Sequence, residues 1–349
     1  MTSKQRVRMA VKHQKPDQIP AAFEAVSSVM NRLLREYKLS DRDQLYQKFQ
    51  IDIVPIGAKY TGPPLKEYTD TNGNLVKESL WGWEETIHTT EIDSYFVTSR
   101  FPLAGCKSIA DVDAHRWPDP DWFDYEDIKR QCDKYSNKAI IFGHEGPFQI
   151  VTFLISMEEF FILMMEEPDV AKHILNKMLA FELEYYDRVL KAADGQIDII
   201  RPHDDYGTQI SLLFSVDMWQ EFFKESTRKL VDLTHKYGAF YQQHSCGAVA
   251  PIIPDLIECG VDVLEPLQKL PGLYADELWR DYGGKIAFHG GIDTQGLLPN
   301  GTPDQVQTEV RHYIETLGKN GGYILMSSQG LEPDVPIANI EALYTTRRD

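Results

Sequence analysis

Residues 239–265 read AFYQQHSCGAVAPIIPDLIECGVDVLE, and this stretch contains the pattern that decides the fold. The β-rich run Ala239–Gln242 leads to the polar cluster His244–Gly247, and the next run, Val261–Leu264, leads to Glu265. Short runs of this kind, ended by polar and glycine residues, are typical of buried strands. Both predicted strands are therefore followed at once by chemically active side chains.

The same pattern recurs along the chain. Further strands are predicted at Ile19–Phe23, Ile51–Ile56, Ala139–Phe142, Ile197–Arg201, Lys285–Phe288 and Tyr323–Met326. Amphipathic spacing predicts helices between most of them, at Ser27–Lys48, Met157–Ala193, Val216–Tyr237, Tyr274–Tyr282, Thr302–Lys319 and Ile337–Tyr344. Alternating strands and helices indicate a parallel sheet, and eight repeats with polar residues after most strands indicate a closed barrel. We therefore expect an α/β fold, a single (β/α)₈ TIM-barrel domain over residues 1–349.

One segment interrupts the alternation, between residues 65 and 100. It contains Asp70-Thr71-Asn72-Gly73-Asn74 between extended runs. The pair Asn-Gly is typical of a tight hairpin turn, because both residues tolerate positive φ. The sequence therefore predicts a β-hairpin insertion after the second strand.

The composition excludes several classes of partner. The chain has 349 residues, 42% of them hydrophobic, and a net charge of −17, which argues against nucleic acid and anionic membranes. Its four cysteines are scattered without a CxxC pair, so no disulfide framework is expected. Residues 1–20 are polar, and no apolar run approaches the roughly 18 residues that a membrane span needs. We expect a cytoplasmic protein.

In barrels of this class, the active site lies at the carboxyl ends of the strands. That rule selects Glu24, Lys59, His144, Glu145, His203, Asp204, Asp205, His244, Cys246, Glu265, Gln268, His289, Asp293 and Gln329. Imidazoles and carboxylates that converge on one mouth suit metal binding or proton transfer. The alternative is that polar residues gather wherever a loop begins.

His244 and Cys246 form the sharpest local feature. Residues two apart in an extended segment face the same side, so an imidazole nitrogen and a thiolate sulfur could bind one metal ion. Zn²⁺ accepts that pair of ligands, and a catalytic zinc site keeps one position open. The alternative is a buried thiol beside a hydrogen-bonded histidine.

Three stretches resemble the uroporphyrinogen decarboxylase-like superfamily. They are HSCGAVAPIIPDLIECGVDVLEPLQ (244–268), FHGGIDTQGLLPNGTP (288–303) and GGYILMSSQGLEPDVPIANIEAL (321–343). Within the superfamily the chain looks most like the corrinoid-dependent (methylcobamide) methyltransferases. The decarboxylase branch carries an arginine-rich N-terminal motif that grips propionate groups. The matching region here, IPAAFEAVSSVMNRLLREY (19–37), lacks that motif.

In the methyltransferase branch, the resemblance implies that His244 and Cys246 are zinc ligands. A third ligand in the thiol-methylating members is a cysteine after the last strand, and here that position is close to Gln329. This departure puts a thiol acceptor in doubt. Asp205, Glu145, Glu265 or His289 could complete a different site.

The resemblance implies a methyltransferase that moves a methyl group between a small substrate and cobalamin carried by a separate corrinoid protein. O-demethylation of a methoxylated aromatic would fit the aromatic residues near the mouth and the missing cysteine. The expected catalytic residues are Asp205, His289 and Glu145, with His203, Tyr206, Gln268 and Gln329 around the substrate. Two alternatives stay open: a decarboxylase or other lyase acting on a small carboxylate, and a non-catalytic tetrapyrrole- or corrinoid-binding protein.

Overall fold

The structure is a computed structural model that describes residues 1–89 and 94–348, and at Arg348 the backbone alone. Its strands are β1 (Ile53–Ile56), β2 (Lys59–Tyr60), β3 (Glu67–Thr69), β4 (Leu75–Glu78), β5 (Glu84–Thr89), β6 (Ser94–Arg100), β7 (Phe123–Asp124), β8 (Ala139–Phe142), β9 (Ile199–Ile200), β10 (Phe240–His244), β11 (Val263–Leu267), β12 (Ala287–Gly290) and β13 (Tyr323–Ile324).

The α-helices are α1 (Ser3–Val11), α2 (Ser27–Glu36), α3 (Arg42–Lys48), α4 (Ile109–Asp113), α5 (Tyr125–Lys134), α6 (Pro147–Leu154), α7 (Met157–Glu166), α8 (Pro168–Ala193), α9 (Val216–Phe222), α10 (Lys224–Lys236), α11 (Ile253–Cys259), α12 (Ala275–Tyr282), α13 (Leu297–Asn300), α14 (Pro303–Thr316) and α15 (Ile337–Thr345). Short 3₁₀ turns lie at Pro120–Trp122, Ala250–Ile252 and Thr346–Arg348.

Two compact units share the chain, each assembled from separate segments. The first, which we call the barrel unit, contains Met1–Gly57, Lys129–His144 and Ala193–Asp349. The second unit contains Ala58–Ile128 and Glu145–Ala192. A single domain over residues 1–349 stays a prediction.

The barrel unit is built on a parallel sheet. Its seven strands run in the order β1-β8-β9-β10-β11-β12-β13, and every neighbouring pair is parallel. Ala21 joins the two edges: it forms a parallel bridge with Leu325 beyond β13, and its carbonyl accepts from Asp52 N at 2.8 Å just before β1. These bonds close the sheet into the predicted TIM barrel.

The first predicted strand, Ile19–Phe23, is present only as that bridge. Pro20 has no N–H, so it can accept from Leu325 N, at 2.8 Å, but cannot donate to either neighbour. A full ladder therefore cannot form at this position. Three predicted helices are likewise divided. Ser27–Lys48 becomes α2 and α3, Met157–Ala193 becomes α7 and α8, and Val216–Tyr237 becomes α9 and α10.

The interior of the barrel unit changes from apolar to polar along the strands. One buried apolar layer contains Ile199, Phe240, Val263 and Ala287. Side chains two positions further along a strand share the same face. In this barrel those positions hold Arg201, Gln242, Glu265 and His289. The carboxyl ends of the strands therefore carry the buried polar groups.

Within the second unit, β3, β4, β5 and β6 form an antiparallel sheet in that order. The predicted turn joins β3 to β4, where Asp70 N donates to Asn74 O at 2.9 Å and Gly73 has a φ of 87°. The structure thus has four strands where the sequence predicts one hairpin. Residues 90–93 of the predicted insertion lie outside the described residues.

No single helix in residues 1–89 and 94–348 has the length and apolar content of a membrane span. Within the same residues, α6 and α7 taken together have this length and apolar content, but the two helices are bent by 103° relative to each other.

Candidate active site

The predicted site histidines lie at the carboxyl edge of the parallel sheet. His144 and His203 follow β8 and β9, His244 ends β10, and His289 lies in β12. His203 N donates to His144 O at 2.9 Å, and His203 forms a parallel bridge with His244. The rings of His203 and His244 have centroids 4.7 Å apart. The structure therefore brings this part of the predicted set together.

Asp205, His244 and Cys246 form a cluster that can hold a metal ion. Their ligand atoms all lie within 4.8 Å of one another. His244 Nε2 is 3.7 Å from Cys246 Sγ and 3.4 Å from Asp205 Oδ1. Ligands bound to one tetrahedral zinc at about 2.0–2.3 Å lie about 3.3–3.6 Å apart. The two spacings from His244 Nε2 are close to that geometry.

Glu265 fixes the orientation of the His244 ring. Its Oε2 is 2.7 Å from His244 Nδ1, so Nδ1 carries the proton and Nε2 faces Cys246 and Asp205. Carboxylates behind metal-binding histidines act in this way. Burial lowers the pKa of His244, but Glu265 and Asp205 outweigh burial and raise it well above its usual value. The surroundings favour positive charge at this position.

Asp205 is the third ligand that the structure favours among the candidates from the sequence. Its Oδ1 accepts from Cys246 N at 2.8 Å. Burial raises the pKa of Asp205, but His244 and the Cys246 N–H outweigh it and hold the pKa below its usual range. An ionised carboxylate at neutral pH suits a ligand rather than a proton donor. Glu145, another candidate, is exposed and belongs to the second unit.

Gln329 lies beside the sulfur of Cys246. Its Nε2 donates to Sγ at 3.2 Å. An amide nitrogen has no lone pair to offer a metal, so Gln329 in this orientation donates to the sulfur and does not complete the candidate ligand set. Gln329 therefore lies beside the cluster as a hydrogen-bond donor.

Gln268 and Tyr206, both predicted near the substrate, support the loops of the site. Gln268 Oε1 accepts from Gly247 N at 2.7 Å. Gly247 has a φ of 86°, and a Cβ there would lie 2.4 Å from Gly207 C, so only glycine fits. The Tyr206 hydroxyl donates to Asp204 Oδ2 at 2.8 Å, and its ring packs among buried aromatic residues. Their contact with a substrate stays a prediction.

Arg201 and Gln242 are site residues that were not selected from the sequence. Arg201 contacts Glu24 Oε1 at 2.5 Å and Glu265 Oε2 at 3.5 Å. Gln242 Nε2 donates to Glu265 Oε2 at 3.3 Å. Both lie in the polar layer described above. The sequence contained a signal for them, because each is a polar residue two positions after an inward apolar residue, Ile199 or Phe240.

Several buried atoms of the site have no hydrogen-bond partner among the described residues. They are His203 Nε2, His289 Nε2 and Glu265 Oε1. Burial lowers the pKa of His203 to about 3 and that of His289 to about 4, so both rings are neutral at neutral pH. A neutral ring keeps one nitrogen as a hydrogen-bond acceptor. Buried polar atoms are normally paired, so these three indicate a place for a ligand or ordered water.

Comparisons with known proteins identify the family and the fold of the chain. Residues 102–349 match the family described as uroporphyrinogen decarboxylase (URO-D). A stretch of 208 residues is 25% identical to the methylcobamide:CoM methyltransferase MtaA of Methanosarcina barkeri, and covers 60% of this chain and 57% of that protein. A stretch of 195 residues is 21% identical to the uroporphyrinogen decarboxylase of Coxiella burnetii, and covers 52% of this chain and 48% of that protein. The chain thus spans about half the length of these relatives.

In fold, the chain is similar to a methyltransferase from Methanosarcina mazei. The TM-score is 0.70 at 18% identity, and the match covers 100% of this chain and 98% of that one. At this identity the likeness shows the α/β barrel architecture alone. The family match covers well over half of the sequence, and the protein therefore belongs to the uroporphyrinogen decarboxylase (URO-D) family.

Proposed function

We propose that this protein is a corrinoid-dependent methyltransferase, which moves a methyl group between a small substrate and cobalamin carried by a separate corrinoid protein in the cytoplasm. The observation that carries the proposal is the cluster of Asp205, His244 and Cys246 at the carboxyl ends of the strands. The similarity to MtaA supports the same reaction class.

The donor set of the cluster suits zinc. One nitrogen, one sulfur and one oxygen ligand leave a fourth tetrahedral position open, as in catalytic zinc sites. Magnesium and calcium prefer oxygen ligands, so a thiolate with an imidazole disfavours them. When bound, zinc supplies a Lewis acid for the atom that loses or accepts the methyl group. His244, Cys246 and Asp205 would hold it, and Glu265 would keep the His244 ring oriented.

The oxygen ligand bears on the substrate class. A carboxylate in place of a second thiolate leaves more positive charge on the metal, because oxygen donates less electron density than sulfur. Such a centre suits the oxygen of a methyl ether better than a thiol. A methoxylated aromatic, demethylated at oxygen, is the substrate that we propose.

Decarboxylation of a porphyrinogen is less well supported by the site. Several propionate groups need cationic clamps. Arg201, which lies in the polar layer, is already engaged by Glu24 and Glu265. Its positive charge is therefore not available to a carboxylate substrate.

The test is methyl transfer from a methoxylated aromatic to reduced cobalamin on a corrinoid protein, followed by its absorption spectrum, together with zinc analysis. We expect about one zinc per chain and methyl transfer in wild type, and loss of both in Cys246→Ser and His244→Ala. Cys259→Ser is the matched control, because Cys259 ends α11, outside the cluster. Release of carbon dioxide without a corrinoid would indicate a decarboxylase instead. Ligand binding without turnover would indicate a binding protein.

A further inference from the structure

A chain of hydrogen bonds connects the cluster of Asp205, His244 and Cys246 to buried residues of the barrel. His289 Nδ1 is 3.2 Å from Gln242 Oε1, and Gln242 Nε2 is 3.3 Å from Glu265 Oε2. The same Oε2 is 2.7 Å from His244 Nδ1 and 3.5 Å from Arg201 Nη1. His289 is therefore connected to the metal cluster through one amide and one carboxylate.

The direction of each hydrogen bond follows from the groups that make it. A carboxylate facing an arginine accepts only, so the amide nitrogen of Gln242 must point to Glu265. The amide oxygen of Gln242 then faces His289 and also accepts only. The proton of the neutral His289 ring must therefore be on Nδ1. Its Nε2 consequently presents a lone pair.

No hydrogen-bond donor among the described residues meets that lone pair. His289 is 1% exposed, and its Nε2 has no hydrogen-bond partner within residues 1–89 and 94–348. Glu265 Oε1 likewise has no donor among the described residues. The neighbouring donors of Gln242, His244 and Arg201 all contact the other oxygen, Oε2. Both atoms are thus buried acceptors that no donor in the described part of the chain meets. A ligand that meets either atom has to supply an O–H or N–H.

We propose that the substrate carries a hydroxyl or N–H group beside its methyl-bearing atom, and that this group donates to His289 Nε2, with Glu265 Oε1 as a further acceptor. The inference rests on the proposed function, since it describes the substrate of that same site. It makes His289 a specificity residue that selects a partly methylated arene over a fully methylated one. A carboxylate substrate is disfavoured, because its oxygens are acceptors and carry negative charge, whereas His289 Nε2 and Glu265 Oε1 need a donor.

Two probes that differ by one group test the inference. The first is 2-methoxyphenol, and the second, 1,2-dimethoxybenzene, has a methyl ether in place of its hydroxyl. We expect zinc-loaded wild type to bind 2-methoxyphenol tighter by about tenfold to a hundredfold in calorimetry, the usual effect of satisfying a buried acceptor. Equal affinities, absence of binding included, would overturn the inference, because water would then satisfy these atoms.

The matched variant is His289→Asn. Asparagine keeps a nitrogen near the position of Nδ1, which can still donate to Gln242, and it lacks the acceptor at Nε2. We expect the two probes to bind H289N with affinities within about threefold of each other. His312→Asn, on the exposed face of α14, is the control and should keep the wild-type preference. A preference retained in H289N would overturn the role of His289.

Ring nitrogen NMR provides a readout that needs no ligand. With ¹⁵N-labelled protein, His289 should show a protonated Nδ1 and an unprotonated Nε2, and the reverse would overturn the inference. Failure here is distinguishable from failure of the proposed function. Methyl transfer from both probes at equal rates would retain the function and remove this inference, whereas a binding preference without methyl transfer would retain the inference about ligand recognition and remove the function.

Discussion

The two ends of the barrel unit differ in how fully their buried polar groups are paired. At the amino ends of the strands, Asp52 and Asp198 are at most 1% exposed, and each contacts two cations. Those cations are Arg6 and Arg347 at Asp52, and Lys4 and Arg8 at Asp198. At the carboxyl ends, Glu265 and His289 are equally buried, yet each keeps an atom without a hydrogen-bond partner in the described residues.

The amino-end aspartates also tie strands together. Asp52, directly before β1, accepts from Ala21 N at 3.0 Å, and Asp198, before β9, accepts from Ile140 N at 3.0 Å. Charges that are fully paired in this way stabilise a fold, whereas unpartnered polar atoms at the carboxyl ends of barrel strands leave room for a ligand or ordered water. Mutations at the amino ends should therefore act mainly on stability, and mutations at the carboxyl ends on binding.

Asp52→Asn should have the largest effect, and it should act on folding. The substitution leaves the buried Arg347 without its carboxylate, which typically costs about 3–5 kcal/mol of unfolding free energy. Urea denaturation measures that loss. Asp17→Asn is the control, because the Asp17 side chain is 42% exposed although it contacts the same Arg6. Its loss should stay below about 1 kcal/mol. Equal losses in the two variants would contradict the comparison.

Glu265→Gln should instead lower the affinity of the protein for zinc. Removal of the carboxylate behind a metal-binding histidine typically weakens metal binding by about 10–100-fold. Competition with a chelator measures the affinity, and Glu258→Gln on the exposed side of α11 provides the baseline. Wild-type zinc affinity in E265Q would mean that His244 is oriented by other contacts.

Acid should destabilise the carboxyl end through His289. Burial lowers the pKa of His289 from 6.5 to about 4 in the folded protein, so the unfolded chain binds more protons between those values. The stability contributed by the neutral ring is present above pH 6.5 and is lost as the pH falls toward 4. Between pH 7 and 5, wild type should lose on the order of 2 kcal/mol relative to H289N. Parallel pH profiles in urea would show that His289 does not titrate as its burial implies.

Gln329→Ala should have the smallest effect. It removes the hydrogen bond to Cys246 Sγ, whose typical worth corresponds to a change of about two- to tenfold in zinc affinity. Gln295→Ala is the baseline, since Gln295 is exposed and hydrogen-bonds only Gln209 and Asp293 among the described residues. A complete loss of zinc in Q329A would make Gln329 a ligand rather than a neighbour of the sulfur.

The barrel, and the meeting of the site histidines at one edge of its sheet, were predictable because both follow from local patterns. Alternation along β10 put His244 and Cys246 on one side, and the strand-end rule put His203 and His289 at the same mouth. The same alternation, applied two positions after Ile199 and Phe240, would have predicted Arg201 and Gln242 on the inward face. The sequence order alone was sufficient for these residues.

The third candidate ligand, Asp205, could not be selected in that way. Asp205 lies 41 residues before Cys246, and only the parallel pairing of β9 with β10 brings the two together. Glu265 was an equal candidate, yet it contacts the far nitrogen of His244. Which nitrogen a carboxylate meets depends on three-dimensional register, and no spacing in the chain specifies it.

The bridge at Ala21 has a consequence for how the protein folds. Closing the sheet requires contacts between segments at opposite ends of the sequence, and Arg347 Nη1, which binds Ile19 O, reaches across 328 residues. Contacts so distant along a chain form slowly, because the intervening segment must first be ordered. A nascent chain would therefore keep the sheet open until β13 and Leu325, which pairs with Ala21, have been made. Chaperones that shield the edges of an open sheet should matter more for this protein's yield than for its final stability.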